Sequence, residues 1–465
     1  MHSPVTVVGG GLAGAELSLQ LAQRGIPIRL FEMKRVRPTP AQVSHDMAEL
    51  VCSNSFRADQ MENAVGAIKA EMRMVGSWLM SVADRCSVPA GGALAVDRHR
   101  FSAMVTELLT RHPLIEVREE EVTELVGPDA PETVVATGPL TSPALSESIR
   151  RATGSDKLYF YDAIAPIVSA ESIDRDIVFE ASRWNKGTAD YLNCPMNEQQ
   201  YSEFIAAVCA AEKVHPRDFE EERFFEGCLP IEVLASRGKD ALRFGCMKPV
   251  GLDDPRTGRW PHAVVQLRAE TRSRSAFNLV GFQTRMKWGA QRQVFRMIPG
   301  LEAAEFLRFG SIHRNTYLDA PRLLDYGLRL RSQPNLRFAG QITGVEGYVE
   351  STACGLNLAL MMLGERAGLE VMPPETSTLG ALHRHILGQE RDDGAHVPSN
   401  IHWGMVPPLP GRHRKSERKR MLGERAIRDA SAWWTDLEPR LPPLTHPIGL
   451  PADAPHRGDA FPAMS

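Results

Sequence analysis

The stretch that decides the fold is Val5-Thr6-Val7-Val8-Gly9-Gly10-Gly11-Leu12-Ala13-Gly14, followed by Ala15-Glu16-Leu17-Ser18-Leu19-Gln20-Leu21-Ala22. A β-branched run, a turn of three glycines and an apolar stretch without helix breakers predict a strand, a tight turn and a helix. Gly9, Gly11 and Gly14 follow the G-x-G-x-x-G spacing in that context. The first glycine permits the turn, the second lets the backbone approach a pyrophosphate, and the third lets the helix pack closely on the strand.

A second predicted strand, Ile28-Arg29-Leu30-Phe31, ends at Glu32. This is about 20 residues beyond the glycines, where an acidic side chain bonds a ribose hydroxyl in dinucleotide-binding units. The unpaired N–H groups and the positive dipole end of the first helix would face the phosphates. The alternative is a glycine-rich turn in an ordinary α/β unit. The strands, the turn and the acid together favour a dinucleotide site, with these predicted contacts: Gly9, Gly10, Gly11, Leu12, Ala13, Gly14 and Glu32.

The glycine motif alone does not separate FAD from NAD, but its position at the N-terminus favours FAD. Two later segments add to this preference, because Thr133–Gly138 and Leu336–Gln341 each predict a strand that runs into a turn of small residues. Such turns close over a dinucleotide or direct N–H groups at an anion. The alternative is two further βα turns of the sheet. The predicted contacts from these segments are Ala136, Thr137, Gly138, Gly340, Gln341, Gly344, Gly347 and Tyr348.

The predicted fold class is therefore α/β, with a doubly wound parallel sheet of the FAD-binding, Rossmann-like kind. Its two halves come from both ends of the chain, at residues 1–175 and 289–437. The residues between them, 176–288, predict an inserted α+β domain because helical and alternating strand patterns are mixed there. The proline-rich residues 438–465 contain few large apolar side chains, so we expect this tail to be disordered.

The composition fits a globular protein, with 465 residues, 43% hydrophobic and 24% charged, and a formal net charge of -3. No run of about 18 apolar residues predicts a transmembrane helix, and the chain enters a strand without a signal-peptide pattern. The seven cysteines are odd in number and form no C-x-x-C pair. They predict free thiols in a reducing cytoplasm rather than a disulfide framework or a metal site.

Two cysteines are candidates for chemistry. Cys52 lies in a small polar loop, Cys52-Ser53-Asn54-Ser55, and Cys228 lies between a glycine and a Leu-Pro step, where a turn can expose the sulfur. A thiolate attacks an electron-poor carbon well once its pKa is lowered. For either cysteine the alternative is a small buried hydrophobic residue. We expect that alternative for the cysteines Cys86, Cys209, Cys246 and Cys354.

Basic residues cluster in two places. One cluster spans residues 411–420, and the other comprises the basic residues Arg268, Arg272, Arg274, Arg285, Lys287, Arg292 and Arg296, with aromatic residues between them. Basic and aromatic side chains together can hold a single-stranded RNA loop by charge and stacking. The alternatives are a solvated helix face for the first cluster and an ordinary half-exposed sheet for the second.

Four segments together resemble the folate- and FAD-dependent tRNA (uracil-5-)-methyltransferases. They are the glycine turn, the loop from Leu50 to Arg57, the turn Glu226-Gly227-Cys228-Leu229-Pro230, and the segment from Ala339 to Tyr348. The resemblance covers residue 1 to about residue 437. It implies bound FAD, 5,10-methylenetetrahydrofolate and NADPH or NADH as co-substrates, and the T-loop uridine of tRNA as the acceptor.

The resemblance assigns the two reactive thiols to Cys52 and Cys228. It implies that a thiolate adds to carbon 6 of uracil and thereby activates carbon 5 toward the one-carbon unit. We interpret Cys228 as the attacking thiolate and Cys52 as the second thiol, which aids deprotonation at carbon 5; the order is open. Arg57, Trp288 and Tyr348 are candidates for flavin or folate contacts. No metal and no obligate protein partner are expected, and the released product is tetrahydrofolate.

Three rival functions stay open from the sequence. The first is a related flavoprotein that installs carboxymethylaminomethyl groups on wobble uridines and works with a GTPase; it shares the segment after Ala339 but carries an additional C-terminal helical domain. The second is a flavin oxidoreductase for small molecules that uses Cys52 or Cys228 as a redox thiol. The third is an FAD-stabilised RNA-binding scaffold without catalysis.

Overall fold

The computed structural model describes residues 3–39, 42–154, 158–163, 165–185, 188–214, 229–270, 273–389, 398–411 and 413–450. Cys228 lies outside these residues. The described strands are β1 (Val5–Val8), β2 (Ile28–Phe31), β3 (Ser55–Ala58), β4 (Ser87–Val88), β5 (Ala93–Val96), β6 (Ile115–Arg118), β7 (Thr133–Val135), β8 (Leu158–Ala163), β9 (Ile167–Ser169), β10 (Phe179–Glu180), β11 (Tyr191–Met196), β12 (Ala263–Ala269), β13 (Ala276–Leu279), β14 (Phe306–Arg308), β15 (Ile312–Tyr317), β16 (Arg329–Leu330) and β17 (Gln333–Phe338).

Helices alternate with these strands. They are α1 (Leu12–Ala22), α2 (Ala64–Met74), α3 (Trp78–Arg85), α4 (Arg98–Arg111), α5 (Pro143–Thr153), α6 (Glu198–Ala210), α7 (Ile231–Ser236), α8 (Ala241–Phe244), α9 (Trp288–Phe295), α10 (Ala320–Leu323), α11 (Tyr348–Arg366), α12 (Thr378–Ile386) and α13 (Lys415–Leu437).

The first sheet has the strand order β16-β17-β7-β1-β2-β6. Its pairs are parallel except for β16 with β17, and β7 pairs with β1 on one side and with β17 on the other. The three-residue strand β7 is fully buried, as expected for a parallel sheet covered on both faces. The prediction of an α/β fold assembled from both chain ends is confirmed, because β17 joins the N-terminal strands through β7.

The second sheet is antiparallel and has the order β10-β11-β12-β13-β9-β14. A separate hydrophobic core, which includes residues of α6, α7 and α9, packs against it. The sheet begins at Ile167 and ends at Arg308. It therefore extends past both edges of the inserted domain predicted at 176–288, because β9 and β14 complete the sheet on one side. Strands β8 and β15 pair with each other; β8 directly precedes β9 in the chain and β15 directly follows β14.

Residues 438–450 of the tail pack against the first domain, whereas the sequence predicted disorder there. Leu441 is buried in the first core, and the guanidinium of Arg24 donates to the carbonyl of Pro442. The N–H groups of Thr445 and His446 both donate to the carbonyl of Gln23 at 3.0 Å. The prediction rested on the small number of large apolar side chains in the tail. Backbone hydrogen bonds hold these residues instead. Residues 451–465 lie outside the described part of the chain.

Helices α1 and α11 pack in close contact across the chain ends. A Cβ added to Gly355 of α11 would lie 2.3 Å from the carbonyl oxygen of Ala13 in α1. The preceding turn is equally close, because a Cβ on Gly340 would lie 2.7 Å from the Cβ of Ala13. Glycine at both positions lets the backbones approach without a steric clash. This packing fixes the N-terminal end of α11 beside that of α1.

We expect Gly355→Ala to destabilise the protein by about 1–3 kcal/mol, because the added methyl group must push α11 away from the α1 backbone. The measurement is the free energy of unfolding from urea titration. Gly289→Ala is the matched control, since Gly289 also lies in a helix and nothing lies within 4 Å of its added Cβ. That control should be neutral or stabilising by up to about 1 kcal/mol. Equal unfolding free energies for the two variants would show that the helices do not require the glycine.

Candidate active site

The glycines of the first turn divide into two kinds. Gly9 has a φ of +107°, and a Cβ there would lie 2.6 Å from the carbonyl oxygen of Ala136. A Cβ on Gly14 would lie 2.0 Å from the carbonyl oxygen of Gly9. Both glycines are therefore required by the protein's own packing. No atom lies within 4 Å of a Cβ placed on Gly11, so this glycine faces open space.

The space over Gly11 belongs to a cleft that opens to solvent. Its lining includes most of the predicted cofactor contacts from both ends of the chain: Gly9, Gly10, Gly11, Leu12, Ala13, Glu32, Ala136, Thr137, Gly138, Gly340, Gln341 and Tyr348. The strand pairings β1–β7 and β7–β17 bring these segments together at the carboxyl ends of parallel strands, where ligands bind in such sheets.

Three predicted contacts do not line the cleft and shape the backbone instead. Gly14 packs beneath the first turn, as described above. Gly344 has a φ of +89° at the end of the turn Gly340–Thr343, and Gly347 has a φ of +103° directly before α11. A Cβ on Gly347 would lie 2.5 Å from the carboxylate of Glu350. These glycines are needed where the chain turns into α11.

Glu32 lies at the end of β2 and lines the cleft. Its Oε2 accepts a hydrogen bond from the Gly10 N–H at 2.8 Å, and its Oε1 accepts one from the Lys34 N–H at 2.9 Å. The carboxylate thus ties the glycine turn to the segment that follows β2. Its position beside the turn fits the predicted bond to a ribose hydroxyl.

Sequence reasoning missed the part of the lining that comes from the segment after Glu32. Lys34 and Glu49 form a nearly buried ion pair with a separation of 3.1 Å, and Val51 also lines the cleft. The segment lacks helical or strand periodicity, so only its closeness in sequence to Glu32 and Cys52 could have indicated a role. The segment leads directly into the cysteine loop.

The residues present fit FAD. Helix α1 begins after Gly11 and α11 begins after Gly347, and no side chain caps either N-terminus. Such helix ends present N–H groups and positive dipole ends to an anion. The open space at Gly11 lets a pyrophosphate approach the backbone of α1, and the carboxylate of Glu32 is placed for the ribose. The residues Gly340, Gln341 and Tyr348 close the other side of the cleft.

Cys52 is half-buried and is joined to the cleft by Tyr348, the first residue of α11. The Tyr348 Oη lies 2.9 Å from the Cys52 Sγ. The same oxygen accepts the N–H of Cys52 at 2.7 Å and that of Ser53 at 3.1 Å. Burial raises the pKa of Tyr348 well above its usual value, and the neighbouring Cys52 raises it further. The structure therefore places this predicted thiol against Tyr348 and next to Val51, two residues that line the cleft.

Arginines surround the cysteine loop. Arg268 is buried and donates to Asn54 Oδ1 at 3.0 Å and to Ser53 Oγ at 2.8 Å. Arg98 pairs with Glu270 at 2.5 Å, and both side chains are almost completely buried. Burial alone would lower the pKa of Arg98, but Glu270 and the nearby Tyr348 and Cys52 raise it overall. The loop is thus held by Arg268 from the second sheet, and Arg98 interacts with Cys52 electrostatically.

Four residues of the second basic cluster contact other groups of the protein. Arg268 holds the cysteine loop, Arg274 pairs with Glu180 at 2.9 Å, and Lys287 pairs with Glu212. Arg296 donates to the carbonyl of Ala304. These contacts support the alternative of an ordinary half-exposed sheet. Arg272 lies outside the described residues.

The other cysteines lie in varied surroundings. Cys86 and Cys354 are buried and Cys246 is half-buried, but Cys209 is exposed, so the expectation of burial was wrong for Cys209. Burial raises the pKa of Cys354 to about 11 and that of Cys246 to about 12. The Gly340 N–H donates to the sulfur of Cys354 at 3.2 Å, which supports the second glycine turn. Cys228 lies outside the described residues, so its position relative to the cleft stays a prediction.

The two further candidate contacts lie outside the cleft lining. Arg57 has a φ of +63° and pairs with the buried Glu350 of α11. Trp288 is 56% exposed, and its ring stacks on Phe309 with centroids 5.7 Å apart. Among the described residues, no group of three or more His, Cys, Asp or Glu side chains could hold a metal ion. No helix in the described part of the chain has the length and apolarity needed to cross a membrane.

Comparisons with known proteins agree with this geometry. A family model described as glucose inhibited division protein A matches residues 4–370. A relative from Geobacter sulfurreducens, named methylenetetrahydrofolate--tRNA-(uracil-5-)-methyltransferase TrmFO, is 55% identical over 439 residues, covering 93% of this chain and 99% of that protein. The chain belongs to the TrmFO family. A second relative of that name, from Desulforudis audaxviator, is 53% identical over 440 residues, which cover 94% of this chain and 99% of that relative.

Solved structures support the fold. The form II crystal structure of Aquifex aeolicus GidA superposes with a TM-score of 0.66 at 16% identity, covering 93% of this chain and 73% of that chain. Its form I crystal gives a TM-score of 0.64 at the same identity. At this identity the likeness concerns the architecture, in agreement with the two sheets described above.

We expect Gly11→Val to abolish FAD binding while leaving the fold intact. A Cβ at this position has no protein atom within 4 Å, so the added side chain extends into the space in which a pyrophosphate would lie. The measurements are the visible flavin absorbance of the purified protein and its urea unfolding midpoint without cofactor. Gly14→Val is the contrasting variant, because its side chain collides with the Gly9 carbonyl and should lower the unfolding midpoint itself. A yellow Gly11→Val protein would contradict the assignment of this turn.

Proposed function

We propose that this chain is a folate- and FAD-dependent tRNA (uracil-5-)-methyltransferase. It transfers the one-carbon unit of 5,10-methylenetetrahydrofolate to carbon 5 of the T-loop uridine. The observation that carries the proposal is the hydrogen-bonded position of Cys52 against Tyr348 at the wall of the dinucleotide cleft. A thiol beside a flavin site suits a reaction that needs both covalent activation of a pyrimidine and reduction. The names of relatives at 53–55% identity point to the same chemistry.

The cofactor contacts are proposed from the cleft lining. The α1 N-terminus and Gly11 would hold the pyrophosphate and Glu32 a ribose, while Gly340, Gln341 and Tyr348 line the same cleft. When bound and reduced, FAD supplies the two electrons that convert an exocyclic methylene to a methyl group, and NADPH or NADH restores them. The protein's own contribution is to hold these groups in one cleft with a thiol at its wall.

The thiols provide the covalent part of the reaction. The Cys228 thiolate forms a bond to carbon 6 of uracil, and the electron pair of the 5,6 double bond moves into the carbonyl as an enolate. Carbon 5 then bonds to the methylene carbon of the folate. Cys52 takes the proton from carbon 5, and the electron pair of that bond forms an exocyclic methylene as tetrahydrofolate leaves. Addition of two electrons and a proton to the methylene carbon would then form the methyl group, as the double bond returns to carbons 5 and 6 and the Cys228 sulfur leaves.

The tRNA contact is proposed on the N-terminal half of α13. Arg418, Lys419 and Arg420 are exposed there, while Leu422 and Ala426 in the following turns of the helix are buried. Exposed cations on a helix anchored in this way can bind phosphates. A loop uridine must leave its stack to enter the cleft, which costs a few kcal/mol. We further propose that the enzyme acts in the cytoplasm without an obligate protein partner.

The deciding assay supplies the purified protein with unmodified tRNA transcript, labelled methylenetetrahydrofolate and NADPH. We expect the label in ribothymidine at the T-loop. Label that arrives from S-adenosylmethionine instead would contradict the folate chemistry. Product that forms only on a wobble uridine and only with a GTPase would favour the related flavoprotein. NADPH oxidation with a small acceptor, unaffected by tRNA, would favour the oxidoreductase.

We expect Cys228→Ala to reduce methylation below detection while FAD remains bound, because no thiolate can then add to carbon 6. The measurement is single-turnover label transfer, together with the flavin absorbance of the variant. Cys209→Ala is the matched control, since Cys209 is exposed at the end of α6 and has no proposed role. It should retain full activity. A fully active Cys228→Ala enzyme would overturn the nucleophile assignment.

A further inference from the structure

We propose that Tyr348 is a positioning residue for Cys52: its hydroxyl donates a hydrogen bond to the Cys52 sulfur and stabilises the thiolate in the cleft wall. The role of that thiolate as the base at carbon 5 rests on the proposed function. The hydrogen bond itself does not, and it can be tested on the FAD-bound protein without tRNA or folate.

The hydrogen-bond geometry fixes the direction of the Tyr348 proton. The Oη receives two N–H donors, from Cys52 at 2.7 Å and from Ser53 at 3.1 Å. These two contacts occupy the oxygen as an acceptor, and its single proton remains to be donated. The Cys52 Sγ lies 2.9 Å from the same oxygen. The phenol hydroxyl is therefore the donor and the sulfur the acceptor.

The tyrosine is held rigidly for this role. It is the first residue of α11, its backbone carbonyl accepts the hydroxyl of Thr352 at 2.8 Å, and its ring packs on Phe56 with centroids 5.9 Å apart. Burial keeps the pKa of Tyr348 well above its usual value, so the hydroxyl retains its proton at neutral pH. The group acts as a fixed donor rather than as a second anion.

The charged groups around the loop favour an anion at the sulfur. Arg98 and Arg308 both interact electrostatically with Cys52 and Tyr348. Arg268 bonds the next two residues of the loop. The facing acidic groups are the following carboxylates, each with a cationic partner: Glu270 with Arg98, Glu49 with Lys34, and Glu350 with Arg57. The cationic side chains around the loop thus outnumber the carboxylates.

The test is the alkylation of Cys52 by iodoacetamide across a range of pH, followed site by site with mass spectrometry on FAD-bound protein. Tyr348→Phe keeps the ring and removes the donor. We expect the pH midpoint of Cys52 alkylation to rise by about one unit, and the rate at neutral pH to fall about tenfold. Tyr201→Phe is the matched control, because its hydroxyl bonds Lys239 in the second domain, and it should leave the midpoint unchanged.

A second variant separates proton donation from loop support. Fluorotyrosine at position 348 preserves the ring and the hydroxyl but makes the hydroxyl a stronger acid and donor. We expect the alkylation midpoint to fall below that of the unsubstituted protein, which a merely structural role would not produce. An unchanged midpoint with fluorotyrosine, or one that does not rise in Tyr348→Phe, overturns the proposal. Shifted midpoints in a protein that does not methylate tRNA would uphold this hydrogen bond and reject the proposed function.

Discussion

The close contact between α1 and α11 is the constraint on which the rest of the structure depends. Gly355 lets α11 approach the carbonyl of Ala13, and Gly340 lets the preceding turn approach the same residue. One helix comes from residues 12–22 and the other from residues 348–366. Because their N-terminal ends lie together, two uncapped helix ends face one cleft. A larger side chain at either glycine would separate the two halves of the site.

The same contact between α1 and α11 positions Tyr348, the hydrogen-bond partner of Cys52, at the cofactor cleft. Tyr348 begins α11, so the packing that fixes this helix also fixes the phenol hydroxyl at the cysteine loop. That loop is secured from the second sheet by Arg268, and the buried pair of Arg98 in α4 with Glu270 lies near Cys52. The Cys52 loop is thus fixed by groups from distant elements, which suits the role proposed for this thiol.

The fold and half of the site were predictable because their signals are local. The glycine spacing, the strand before it and Glu32 after the next strand lie within one βαβ unit, and each occurs at its expected place. The segments at residues 133–138 and 336–341 were also recognisable as strands that end in small-residue turns. Two boundaries were harder to predict. The second sheet recruits β9 and β14 from outside the predicted insertion, and residues 438–450 pack through backbone hydrogen bonds that composition does not reveal.

The sequence by itself determined that a dinucleotide binds near the N-terminus, since turn geometry and helix-end charge depend only on neighbouring residues. It also placed Cys52 among the residues of interest, through its loop and through family resemblance. Only the tertiary structure decided that Cys52 meets Tyr348, a residue 296 positions away, and that Arg268 serves the cysteine loop rather than the surface. The physical reason is that hydrogen bonds and charges act through space, and the partners of a side chain are set by how distant segments pack.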